Sequence, residues 1–179
     1  MRSLFENLYP DEEMASAYGI PYEAFYERGY RGIIYDIDNT LVPHGAPADE
    51  RAVALFQRLH DLGFRTVFLS NNKKPRVEPF AKATDSLYLC KAGKPKKQGY
   101  RQAMRMLGTD PQATLFVGDQ IFTDIWGAKR CGIHCILTKP IHPKEEIQIV
   151  LKRRLEAVVL FCYHRRMKRR RKETSQEWR

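Results

Sequence analysis

A chain of 179 residues with 43% hydrophobic and 29% charged side chains has apolar material for one buried core and too little compositional bias for disorder. Its formal charge of +10 is uneven, because residues 144–179 hold 12 Lys and Arg against 5 Glu, so the basicity belongs to the tail. The longest apolar run, AVVLFCY at 157–163, is far short of the roughly 20 residues a spanning helix needs, which argues against a membrane protein. Four cysteines (Cys90, Cys131, Cys135, Cys162) without a signal-peptide pattern point to a reducing cytoplasm and imply no disulfide framework.

In chain order, residues 1–29 are rich in aromatics (Phe5, Tyr9, Tyr18, Tyr22, Phe25, Tyr26) and read as a helical extension of two short helices. Asp11 can cap the first, and Pro21 suits the first turn of the second. After Gly29 short apolar runs alternate with amphipathic stretches: RGIIYDI, a helix over 48–62, FRTVFLS, a helix over 75–83, DSLYLC, a helix over 95–107, ATLFVGD, a helix over 123–130, and IHCILT. This rhythm predicts an α/β domain over 30–143, with a five-stranded, mainly parallel sheet covered by helices on both faces. From Glu145 the pattern is helical again, with Ile147, Leu151, Leu155, Val158 and Cys162 spaced to share one face. Residues 144–179 therefore form a third segment, a basic amphipathic helix and tail.

In a parallel sheet the chemistry collects at the carboxyl ends of the strands, near the point where strand order reverses. Asp36 and Asp38 end the first strand of the domain, Ser70 and Asn71 the second, and Gly118 and Asp119 the fourth. Lys94 precedes a helix start at Pro95, and Asp124 opens the next helix. Several carboxylates in one crevice stay ionised only around a cation, and Mg2+ takes oxygen ligands while keeping positions open for a phosphate. A lysine, a hydroxyl and backbone amides nearby suit a phosphoryl group. Of the paired aspartates, one can attack phosphorus to form an aspartyl-phosphate while the other moves the proton of the leaving oxygen and then of water.

DIDNTL, LSNN, GKP and GDQIFTD, in this order at successive strand ends, resemble the four motifs of the haloacid-dehalogenase phosphatases over residues 33–138. The resemblance implies a three-layer Rossmann-like fold, with Asp36 as nucleophile and Mg2+ ligand. Asp38 would be the general acid/base, giving its backbone carbonyl to the metal. Ser70, with Asn71 beside it, would bind phosphate, and Lys94 would steady nucleophile and phosphate. Asp119 would ligate Mg2+, Asp124 would support its water shell, and Thr40 would order the loop after the nucleophile. The intervals from Asp38 to Ser70 and from Ser70 to Lys94 are too short for a cap domain. Within the capless group, DIDNTLVPHGAP with LSNN, GKP and GDQ is similar to the YqeG-type branch of subfamily IIIA, whose relatives include phosphatidylglycerophosphate phosphatases. That resemblance favours phosphatidylglycerophosphate as substrate, with a nucleotide, sugar phosphate or phosphoprotein as alternatives.

The tail bears on partners. HRRMKRRRK places seven basic residues between Arg165 and Lys172. Such a helix can lie on the inner face of an anionic membrane or grip RNA phosphates. A ribosome-associated factor using the tail therefore remains a second reading, with RNA contact the less favoured. Cys131, His134 and Cys135 in CGIHC would need further zinc ligands from elsewhere in the chain and read as packing residues. His44 reads as a solvated loop residue or a substrate contact.

Overall fold

A computed structural model describes residues 6–142 and 147–176, with side chains described for 7–142 and 154–169. Twelve elements follow in order: β1 (Glu12–Met14), α1 (Tyr22–Glu27), β2 (Gly32–Tyr35), α2 (Glu50–Asp61), β3 (Arg65–Leu69), α3 (Lys74–Ala83), β4 (Leu87–Leu89), α4 (Lys97–Leu107), β5 (Thr114–Gly118), α5 (Trp126–Lys129), β6 (His134–Thr138) and α6 (Ile147–Gln176). The strands form one sheet, ordered β1-β6-β5-β2-β3-β4, with every neighbouring pair parallel. Strand order reverses between β2 and β5, which opens a crevice there.

Side-chain alternation explains the continuously apolar strands. Ile33, Tyr35, Phe68, Leu115, Val117 and Ile136 point to a face covered by α1, α2 and α3, where they meet Phe25, Phe56 and Phe80. Their neighbours Ile34, Val67, Leu69, Phe116, Cys135 and Leu137 point to the opposite face, against Tyr100, Leu107, Ile125 and Val159. Burial on both sides leaves the middle of these strands almost wholly apolar, as expected of a parallel sheet between helix layers, and their polar residues (Arg65, Thr66, Thr114, His134, Thr138) stand at the strand ends. The helices start and stop on local chemistry. The Asp49 carboxylate accepts from the Ala52 amide to cap α2, and Gly108, at φ 62°, ends α4 in the left-handed conformation.

The sheet has six strands rather than five, and residues 6–29 do not form two α-helices. Glu12–Met14 pair with β6 as an added edge strand, and among the described residues of this stretch only Tyr22–Glu27 is α-helical, with single 3-10 turns at Glu6–Leu8 and Ala17–Gly19. Asp11 does not cap a helix; its carboxylate accepts from the Cys135 amide at 2.8 Å and from Lys129 Nζ at 2.6 Å, tying the N-terminal segment to β6 and α5. Tyr22 and Tyr35 complete the attachment inside the core: the Tyr35 hydroxyl donates to the Tyr22 hydroxyl, which donates to the Ala17 carbonyl, each at 2.7 Å. The expected helix over 123–130 begins earlier, with a π-helical turn at Ile121–Ile125 running into α5.

The buried face of α6 also differs from the expected one. Glu156 and Val159 are buried and Leu160 packs on the core, whereas Leu155, Val158 and Phe161 are 57%, 61% and 64% exposed. Cys162 is exposed as well. Spacing picked out the stripe with Leu155, Val158 and Cys162, but the domain accepts a different side of the helix. Phe5 and Glu145 lie outside the described residues, and the side chains of Ile147 and Leu151 are outside them too. Among the described residues, no helix is long and apolar enough to cross a membrane.

Candidate active site

Asp36 follows β2, and Asp119 follows β5 on the adjacent strand, so the sheet itself brings these two carboxylates to the crevice where strand order reverses. Asp124 is delivered by the π-helical turn, a distortion that recurs at functional sites because it re-aims a side chain within a helical path. One oxygen from each of the three carboxylates falls within 4.8 Å of the others, and all three residues are buried. Gly118 makes the approach of Asp124 feasible, because a Cβ there would stand 2.7 Å from Asp124 Oδ2.

Lys94 sits among these acids. Its Nζ donates to Asp36 Oδ1 at 2.5 Å and to Asp124 Oδ1 at 2.7 Å. The second Asp124 oxygen accepts from the Gln120 amide at 3.1 Å, and Thr40 Oγ1 donates to Asp119 Oδ1 at 3.2 Å. Burial pushes the Asp36 carboxyl up to about 7, against the pull of the Lys94 ammonium and with a further upward push from Asp124. Burial alone would lower the Lys94 ammonium, but the Asp124 and Asp36 carboxylates outweigh it and hold it above its ordinary value. Three buried carboxylates with one ammonium leave a net negative charge, and a low-dielectric site sheds such charge by taking up protons or a cation. A hard divalent ion with oxygen ligands fits this donor set.

The remaining residues expected at the site fall into two groups. Ser70, at the end of β3, is buried and its Oγ accepts from the Asn72 amide at 3.1 Å. Asn71 is engaged at both ends of its carboxamide by the peptide groups of Lys94: Oδ1 accepts from Lys94 N at 2.7 Å and Nδ2 donates to Lys94 O at 3.2 Å. These two bonds tie Asn71 to the backbone of the lysine. The Asp38 carboxylate lies outside the three-carboxylate cluster. Its Oδ1 accepts from Arg76 Nη2 and the Gly45 amide, both at 2.8 Å, and its Oδ2 from Asn72 Nδ2 at 2.7 Å. His44 stands 3.9 Å from the same carboxylate, more than half exposed. In CGIHC, Cys135 is buried in the core and His134 packs against the rings of Phe25 and Tyr30.

Two contributors were missed in the sequence. Arg76, on the first turn of α3, holds Asp38 with both its Nε and Nη2; its place one helical turn after Asn72 was the available signal. Glu156 reaches in from α6, and its Oε1 accepts from the Ile121 amide at 2.7 Å and the Phe122 amide at 3.4 Å. A lone acid inside the apolar stretch LEAVVL was the only sign of it. It satisfies amide donors at the start of the segment that carries Asp124.

The arrangement of sheet, acids and lysine is that of a phosphate-ester hydrolase, and the comparisons agree. The family model for "Hydrolase: haloacid dehalogenase-like hydrolase" matches residues 44–132. The chain is 31% identical over 158 residues to "Probable phosphatase YqeG" of Bacillus subtilis, covering 88% of this chain and 92% of that protein. It is 29% identical over 154 residues to "Phosphatidylglycerophosphate phosphatase 1, chloroplastic/mitochondrial" of Arabidopsis thaliana, covering 79% of this chain and 44% of the plant protein. Among solved structures, the cobalt-bound deoxy-D-mannose-octulosonate 8-phosphate phosphatase of Haemophilus influenzae shares the fold, with a TM-score of 0.50 at 15% identity over 74% of this chain and 88% of that one. The chain belongs to the haloacid dehalogenase-like hydrolases, as a phosphatase of the YqeG type. Among the described residues, α2 follows the first aspartates and α3 and β4 fill the interval before Lys94, so neither position carries a cap domain.

Proposed function

We propose that this phosphatase is a Mg2+-dependent phosphomonoesterase that works through an aspartyl-phosphate on Asp36. The observation that carries the reading is the buried trio of Asp36, Asp119 and Asp124 around Lys94. Asp36, Asp119 and Asp124 would hold Mg2+, with the Asp38 backbone carbonyl; the ion supplies positive charge to a phosphoryl group. Asp36 attacks phosphorus while Lys94 keeps its carboxyl oriented and offsets the charge gathering on the phosphoryl oxygens. Ser70 Oγ and the amides that follow β3 bind those oxygens. Asp38 exchanges Arg76 for a proton, gives that proton to the leaving oxygen, and later takes one from the water that opens the aspartyl-phosphate.

The favoured substrate is phosphatidylglycerophosphate, supported by the Arabidopsis relative's name and by a crevice that no cap domain covers among the described residues. Exposed Leu155, Val158 and Phe161, continued by exposed Arg165, Lys168 and Arg169, support contact between α6 and an anionic bilayer. RNA is less favoured because phosphates alone leave the apolar part of that face uncovered.

Release of inorganic phosphate from lipid, nucleotide and sugar phosphates, with Mg2+ and with chelator, tests the reading. Turnover of the lipid phosphate should require Mg2+ and vanish in Asp36→Asn with the fold retained. Persistent Mg2+-dependent turnover in that variant rejects the nucleophile, and turnover confined to nucleotide or sugar phosphates rejects the lipid.

A further inference from the structure

A cavity of about 440 Å3 lies beneath α6, between β1 and the ends of β5 and β6. Its walls are mainly apolar, with Met14, Ile121, Leu137, Pro140, Ala157 and Leu160 among them, and Asp119 of the acid cluster also lines it. Two contacts of α6 mark its extent along the helix: Glu156 bonds the Ile121 amide at 2.7 Å, and His164 Nε2 meets Glu13 Oε2 at 2.9 Å. Eight residues of helix separate these anchors, a rise of roughly 12 Å. The volume falls within the range of small-molecule sites, which are apolar with a few polar groups at their ends.

The acids on the wall limit what can enter. Glu13 faces His164, and Glu156 is turned onto backbone amides, so these groups are engaged with the protein and leave apolar wall between them. Lys139 also lines the cavity and can meet a polar group, but along the apolar stretch between the acids a polar or charged occupant would be desolvated with little in return. An apolar chain gains by leaving water and has no polar group to desolvate, and it can be attached to a phosphate because the same Asp119 borders both spaces.

We propose that this cavity is a subsite for the hydrocarbon chain of a phosphomonoester whose phosphate sits at Asp36. The inference rests on the phosphatase reading and adds where such a substrate places its apolar part. The contact between Glu156 and the Ile121 amide makes α6 a wall of the substrate site rather than only a surface arm.

The test uses the full chain with Mg2+ and two series, alkyl phosphates and the non-hydrolysable alkylphosphonates, from ethyl to decyl and below their micelle concentrations. Calorimetric affinity for the phosphonates and kcat/KM for the phosphates should climb with chain length, by up to about fourfold for each methylene buried. Ala157→Trp and Ala15→Trp, each filling the cavity from an exposed position on its wall, should flatten that climb; melting curves show whether either variant is folded. Phosphonate affinity independent of chain length overturns the subsite whether or not the esters turn over. A climb that survives both tryptophans but is lost in Phe161→Asp overturns it too, since binding would then be on the outer face of α6. If the phosphonates show the climb and no phosphate ester is hydrolysed, the subsite stands and the catalytic reading falls.

Discussion

Removal of metal should make the stability of this protein fall as pH rises, with Asp36 as the cause. Its carboxyl ordinarily titrates at 3.8, and burial in the folded chain raises this to about 7. Between these values the folded state holds a proton that the unfolded state has released, so stability is fully present below the lower value and is lost as pH approaches the upper one. At about 1.4 kcal/mol for each pH unit, the loss comes to about 4 kcal/mol, or roughly 8–16 °C in Tm for a chain of this size. Urea unfolding in chelator from about pH 4 to about pH 8, on the native chain and on Asp36→Asn, measures it. The native-minus-variant difference should decline over this range and then level off. Saturating Mg2+ should abolish the decline, because ligation stabilises the ionised carboxylate. A difference that is flat or rises with pH in chelator would refute the reasoning.

Glu156→Ala should lower stability by about 1–3 kcal/mol, because the Ile121 and Phe122 amides lose their buried acceptor; urea midpoints should show Glu156→Gln losing less. Gly118→Ala should weaken Mg2+ binding roughly tenfold or more, since the added methyl would displace the Asp124 carboxylate; a Mg2+ titration of Tm measures this, and unchanged affinity would remove Asp124 from the metal site. Val158→Asp with Phe161→Asp should cut sedimentation with anionic liposomes while leaving the fold intact, because both side chains point to solvent.

The central sheet and the positions of the acids were legible because both follow from rules that act locally. Runs such as GIIY and LFVG are apolar throughout since both faces are covered, and residues just beyond them must stand at the rim. β1 was not legible for the same kind of reason. Glu-Glu-Met has no alternating pattern, and it becomes a strand only because β6 offers an unpaired edge. The face of α6 that packs could not be read either, because apolar residues occur on two sides of the helix; the choice falls to Glu156, whose carboxylate finds amides on the domain. At the site, spacing placed Asp38 beside Asp36, yet its carboxylate turns toward Arg76, a partner from a different helix that no local pattern announces.

The Glu156 contact has a practical corollary for shortened forms of the protein. A deletion designed to strip the basic tail, if it began upstream of this glutamate, would also open the chamber bordering Asp119 and unbrace the turn that carries Asp124. Inactivity of such a fragment would then report a dismantled pocket, whereas a cut after His164 separates the arginine-rich end from the catalytic body.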